Sequence, residues 1–143
     1  MKKTQKKLGN KGFSLVELIV VIAIMAVLVG VLAPTLIKNI EKSRESKDAQ
    51  NVEQLKSAAE IALQNEDAYA SLVPSSGSTT DLVVINGSSV SVNSTDSHFT
   101  SEFSGQMDVT KTKLTSKKYK GVTGGIKIVV NDKGQVSIVG NPS

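Results

Sequence analysis

Glu17 is the only charged side chain between Phe13 and Ile37. A carboxylate within a membrane-spanning helix costs about 2.5–3.5 kcal/mol at the bilayer centre, and less near an end. Two readings of it are open. It is an interfacial acid whose side chain reaches back to the headgroups, or it meets a positive partner in apolar surroundings. Other reactive groups are scarce. His98 is the only histidine, so no Ser-His-Asp, zinc or His-carboxylate constellation can be built around it, and it reads as a surface loop residue. No GxxxxGK[ST] phosphate loop occurs. Asp96 and Asp132 read as turn formers rather than calcium ligands. The absence of cysteine excludes thiolate metal sites, a cysteine nucleophile, a disulfide and a lipoprotein anchor. The expectation is a non-enzyme with no catalytic residues, no cofactor and no metal.

The elements around Glu17 set its environment. The 25 residues from Phe13 to Ile37, if helical, span roughly 37 Å, enough to cross a hydrocarbon core of about 30 Å. Lys2, Lys3, Lys6, Lys7 and Lys11 precede them with no acid among them, which places the leader in the cytoplasm and the C-terminal part outside. Removing these five of the 17 basic residues leaves 12 against 13 acidic ones, a net −1, so the formal +4 belongs to the leader and not to a nucleic-acid surface. Few aromatics accompany the lysines, so base stacking is unsupported. A conventional secretory signal would have a shorter apolar region and a small-residue cleavage site, and the best candidate, Gly30 to Ala33, runs straight into Pro34.

The run Lys11-Gly12-Phe13-Ser14-Leu15-Val16-Glu17 resembles the class III signal of type IV pilins. Its elements are a basic leader, a glycine, a cleaved bond, a phenylalanine, a glutamate five residues after the glycine, and an apolar helix directly after. The resemblance implies that a prepilin peptidase cuts between Gly12 and Phe13 and methylates the new Phe13 amine. It implies that Glu17 pairs with the amine of a neighbouring subunit, where the low dielectric strengthens the attraction. Identical or related pilin subunits, an assembly ATPase and inner-membrane platform proteins are the implied partners. The implied locations are the membrane as a single-pass precursor and then a cell-surface filament. Family roles are motility, adhesion, biofilm formation and DNA uptake. Lack of cysteine departs from disulfide-bearing pilins and leans towards the Gram-positive type. Gly30 and Pro34 are read as a helix break that loosens on assembly, or else as an ordinary transmembrane proline tolerated by its neighbours. Rival readings are a pseudopilin of a type II secretion or DNA-uptake system, and a single-pass anchored binding protein that never polymerises.

Beyond the apolar run, helix formers continue from Lys38 to about Ala68, giving one helix of about 55 residues. Val52, Leu55, Ala59 and Ala62, widened by Ile61 and Leu63, form its buried stripe. Arg44–Asp48 and Lys56–Glu60 are spaced for i,i+4 pairs. Pro74 to Thr80 reads as a loop. Leu82–Ile85 and Ser88–Val92 flank Asn86-Gly87 and read as a hairpin with a type I′ turn. Ile126–Val130 and Gln135–Val139 read as a second hairpin, with Gly134 in the left-handed position. Phe99 and Phe103 mark a short helix from Ser97 to just before Gly105. Asn86-Gly87-Ser88 and Asn93-Ser94-Thr95 match the glycosylation pattern by chance. The expected organisation is a leader at 1–12, the apolar half-helix at 13–37, the amphipathic half at 38–70 and an outer head at 71–143. The fold class is α+β, a long helix packed on a small antiparallel sheet, as in pilins.

Overall fold

A computed structural model describes Gly12 and residues 14–143. The leader lysines and Phe13 lie outside the described residues. The chain divides into two units, with the boundary after Lys38. The first long helix, α1, spans Leu15–Ala62 and passes through that boundary. Its residues up to Lys38 are exposed except for half-buried Ala33, and they include an apolar stretch long enough to cross a membrane. Gly30 and Pro34 lie inside α1 without interrupting it.

In the second unit α1 turns a stripe inward. Val52, Leu55, Ala58, Ala59 and Ala62 are buried. Ile61 is not: it is 44% exposed, because the stripe follows the i, i+3, i+4 rows and position 61 falls beside them. The expected continuation to Ala68 is also corrected. α1 ends at Ala62, and a short helix α2, Glu66–Leu72, restarts after a turn. Asn65 causes the restart. Its Oδ1 accepts from the Asp67 and Ala68 amides at 3.0 and 3.3 Å, an N-cap that competes with continued helix.

The head sheet has four strands in the order β2-β1-β3-β4, all antiparallel: β1 Thr79–Asn86, β2 Ser89–Val92, β3 Ile126–Asn131 and β4 Val136–Val139. Both expected hairpins are present, and β1 pairing with β3 joins them into one sheet. The register shifts between Asp81 and Val83, so Leu82 is an extra residue on β1. That bulge turns Leu82 to the same side as Val83 and Ile85, and all three are buried. Ile126, Ile128 and Val130 on β3 complete the core face, against which the α1 stripe packs.

The first turn differs in type from the expectation. Asn86 pairs with Ser89, leaving Gly87-Ser88 as the two-residue loop. Gly87 has φ +60°, and no described non-glycine residue has positive φ, so the turn is type II′, not I′. Type II′ needs a left-handed residue only at its first central position, which the glycine supplies. In the second hairpin Gly134 takes φ +74° as expected. Asn131 closes that turn by accepting from the Lys133 and Gln135 amides at 3.0 and 2.9 Å.

α3 covers Ser97–Gln106 and carries Gly105 inside it, beyond the expected end. Asp96 caps it by accepting from the Phe99 amide at 2.9 Å. That hydrogen bond, outweighing partial desolvation, holds the Asp96 carboxyl below its ordinary range. Phe99 and Phe103 are fully buried with ring centroids 5.8 Å apart. A four-residue helix, α4, spans Lys117–Lys120.

Gly125, immediately before β3, lies close to the end of β1. A Cβ there would lie 2.6 Å from the Ile85 carbonyl oxygen, and its φ is +75°. Gly125→Ala combines a backbone clash with left-handed strain, so a loss of about 2–3 kcal/mol is expected, read as a lowered thermal midpoint of the full-length chain.

Candidate processing and assembly site

The candidate site is the start of α1. Ser14 and Glu17 form a reciprocal capping box. The Ser14 amide donates to Glu17 Oε2 at 3.0 Å, and the Glu17 amide donates to Ser14 Oγ at 3.2 Å. The Leu18 amide donates to the Ser14 carbonyl at 3.1 Å, so Ser14 is the N-cap and Glu17 the third helical residue. The charge of Glu17 alone does not show this role, although Ser14-Leu15-Val16-Glu17 is a Ser-x-x-Glu signature. The box turns the carboxylate back along the helix towards its N-terminal tip. There the partial positive charge of the unpaired amides favours an anion.

This geometry bears on the chemistry expected of Glu17. Its carboxylate is not splayed sideways across the apolar surface but held on the Ser14 amide at the helix tip. Gly12 is exposed, and beyond its chain neighbours no atom lies within 4 Å of where a Cβ would stand. A glycine there lets a protease approach the backbone closely. Phe13, the expected methylation position, falls outside the described residues. Gly30 and Pro34 lie far along α1 from this site, and the Gly30 surroundings are likewise open.

The head holds no comparable constellation. Among the described residues no group of three or more His, Cys, Asp or Glu could hold a metal ion. Asp132 accepts from the Gly77 amide at 3.0 Å, tying the hairpin turn to the loop before β1. His98 sits in the first turn of α3 rather than in a loop, exposed, 3.9 Å from Asp67. Asn93 is half-buried and uses its side-chain amide on the Asp81 carbonyl at 2.8 Å.

One head residue was misassigned by sequence. Asp48, expected to pair with Arg44, is fully buried. It accepts from the Ser116 amide at 2.7 Å, the Ser116 hydroxyl at 2.6 Å and the Thr115 amide at 3.0 Å. Arg44 lies instead 3.7 Å from Glu41. The expected Lys56–Glu60 pair is present at 3.7 Å. Asp48 serves the fold of the head, not chemistry on a ligand.

Residues 7–33 match the family model described as the prokaryotic N-terminal methylation motif. It is the class III prepilin signal typical of type IV pilins, and it spans Gly12, Phe13, Ser14, Glu17 and Gly30. No curated protein and no solved structure matches the chain.

Proposed function

We propose that this chain is the structural subunit of an extracellular type IV pilus. The observation that carries the reading is the methylation motif joined to an exposed apolar stretch of α1 whose one carboxylate, Glu17, is held at its tip. A prepilin peptidase cuts between Gly12 and Phe13 and methylates the Phe13 amine. The cut removes five lysines and creates one amine. Before assembly the lipid bilayer covers residues 14–37; after it, the same residues of neighbouring subunits do. Glu17 of an incoming subunit meets the Phe13 amine of a subunit already in place. The pair neutralises a carboxylate that is costly in an apolar setting, and it sets the register at which the helices stack. Gly30 and Pro34 serve as the segment that loosens on assembly, since Pro34 cannot donate to the Gly30 carbonyl. An ATPase and membrane platform proteins drive extrusion, because the chain has no nucleotide loop of its own.

Mass spectrometry of the chain isolated from its host tests the first step. The expected species begins at Phe13 and is heavier by one methyl group. An intact leader on membrane-extracted protein contradicts the reading. Electron microscopy of sheared surface material then tests the second step. Long filaments made mainly of this chain identify a pilus subunit, whereas a processed chain retained in the membrane identifies a pseudopilin.

A further inference from the structure

The head segregates its charges along the chain. Residues 57–110 hold seven carboxylates and no lysine or arginine, and residues 111–131 hold six lysines and no carboxylate. The lysine segment is folded so as to display its charge. Lys111 and Lys113 are exposed, while Thr112, Leu114 and Ser116 between and after them are buried. In α4, Lys117, Lys118 and Lys120 are exposed and Tyr119 is buried.

Glu41, Glu45, Asp48 and Glu53 of α1 lie on the side of this segment, and Glu45 and Glu53 act on Tyr119 within it, but none forms an ion pair with its lysines. Glu41 accepts from the Lys117 backbone amide at 2.6 Å, and Asp48 is occupied by Thr115 and Ser116. Among the described residues Lys113, Lys117, Lys118 and Lys120 join no ion pair. Four ammonium groups within eight residues repel one another until a negative surface faces them.

A second negative surface, not engaged by this segment's backbone, lies elsewhere on the same head. A groove of about 470 Å³ is lined by Glu60, Leu63, Glu66, Tyr69 and Val136. Glu66 joins no ion pair among the described residues, and Glu60 has only the exposed contact to Lys56. The apolar floor suits the methylene stem of a lysine, and the two rim carboxylates suit its ammonium group. The lysine segment is fastened beside α1 at Glu41 and Asp48, whereas the groove begins at Glu60. Twelve residues of helix separate Asp48 from Glu60, about 18 Å along the axis. One head therefore cannot satisfy its own lysines with its own groove.

We infer that the Lys113–Lys120 segment of one copy docks on the Glu60–Glu66 groove of a second copy displaced along the helix axis. The contact is heterologous: each copy uses its lysines on one neighbour and its groove on another, a type of contact that can run from copy to copy along a filament. This inference rests on the filament reading for the setting in which the copies meet. It also adds what the N-terminal site does not supply, a contact between heads.

The chain's lack of cysteine makes the test direct. Full-length chains carrying Lys118→Cys or Glu66→Cys, with different tags, are co-expressed in the host and oxidised in the membrane and surface fractions. The expected result is a disulfide-linked pair bearing both tags, at least about tenfold more abundant than either variant linked to itself. In 1 M salt, where screening acts within about 3 Å, its yield falls several-fold. No mixed crosslink in abundant filaments overturns the contact and leaves the filament reading standing. Mixed crosslinks in membranes that never yield filaments support the contact and overturn the filament reading. Strong self-linking of Lys118→Cys, or crosslinks lost on nuclease treatment, overturns it in favour of a symmetric contact or a bridging nucleic acid. Charge reversal provides a second measurement. Lys117→Glu with Lys118→Glu is expected to shorten filaments, and Glu60→Lys with Glu66→Lys in the same chain is expected to restore them. Failure of that rescue overturns the pairing.

Discussion

Glu17→Ala is expected to leave cleavage after Gly12 intact and to reduce filament yield by at least a hundredfold. The size of the effect follows from the charge. Two unit charges 4 Å apart at an effective dielectric of 20 attract by about 4 kcal/mol, roughly three decades in an association constant. Alanine also removes the capping box, so on its own it confounds the pair with the helix start. Glu17→Gln separates them. Glutamine at the third helical position still accepts from the N-cap amide, so the helix start is retained. It carries no charge, so it offers an ammonium group only a neutral hydrogen bond in place of an ion pair. The glutamine variant is therefore expected to be processed normally, to retain the helix start and still to fail in assembly. Processing is read by mass, the helix start by protection of the Leu18 amide from exchange, and assembly by sheared filament yield. Wild-type yield from Glu17→Gln would show that the carboxylate acts only as a cap, and the intersubunit pair would be withdrawn.

The comparison of alanine with glutamine also bears on what a sequence makes legible. The N-terminal signal was readable because its elements are contiguous: leader charge, Gly12, Phe13, Glu17 and the apolar run follow one another within one window. The capping box lies in the same window as a Ser-x-x-Glu signature, but the charge of Glu17 and the place of Ser14 in the signal overshadow it. Strand positions in both hairpins were legible from alternation and glycine. The turn type was not, because Asn86-Gly87 fits two registers and pairing of Asn86 with Ser89 selects the one that leaves Gly87-Ser88 in the loop. The end of α1 was missed because a propensity sum gives Asn65 little weight, whereas a single side-chain cap on two amides redirects the chain. Pairing of β1 with β3 and the burial of Leu82 depend on residues some 45 positions apart, and local patterning carries no term for them.

Asp48 is the clearest case of a residue whose neighbours in sequence mislead, and it carries the second large expected effect. An acid four residues after Arg44 on a helix suggests a surface pair, a contact of a few tenths of a kcal/mol. In the fold its partners are 67 and 68 residues downstream. There it organises the turn that opens α4: Ser116 donates its hydroxyl to Asp48 and accepts from the Tyr119 amide at 3.3 Å. Burial first, then the carboxylates of Asp48, Glu45 and Glu53, push the Tyr119 phenol above its ordinary range, in keeping with a packed ring beside an acidic helix face. No buried side-chain polar atom lacks a partner among the described residues, so the network is complete as it stands. Asp48→Ala removes the acceptor while leaving the donors in place, and that asymmetry makes it costly. Losing charge-assisted bonds to two amides and a hydroxyl is expected to cost about 3 kcal/mol, lowering the melting temperature by about 12 °C or more for a head of this size. Asp48→Asn keeps one acceptor oxygen but sets an amide donor against a backbone donor, so about half the loss is expected. Arg44→Ala is expected to stay within about 0.5 kcal/mol of wild type. Exchange protection at Thr115 and Ser116 should fall with the alanine variant before that of β3. Equal melting temperatures for Asp48→Ala and Arg44→Ala would return Asp48 to the surface pair. In a chain with no disulfide, this carboxylate and Glu41 together fasten the lysine-bearing segment to α1. The same variant should therefore weaken the proposed contact between heads while leaving cleavage at Gly12 unchanged.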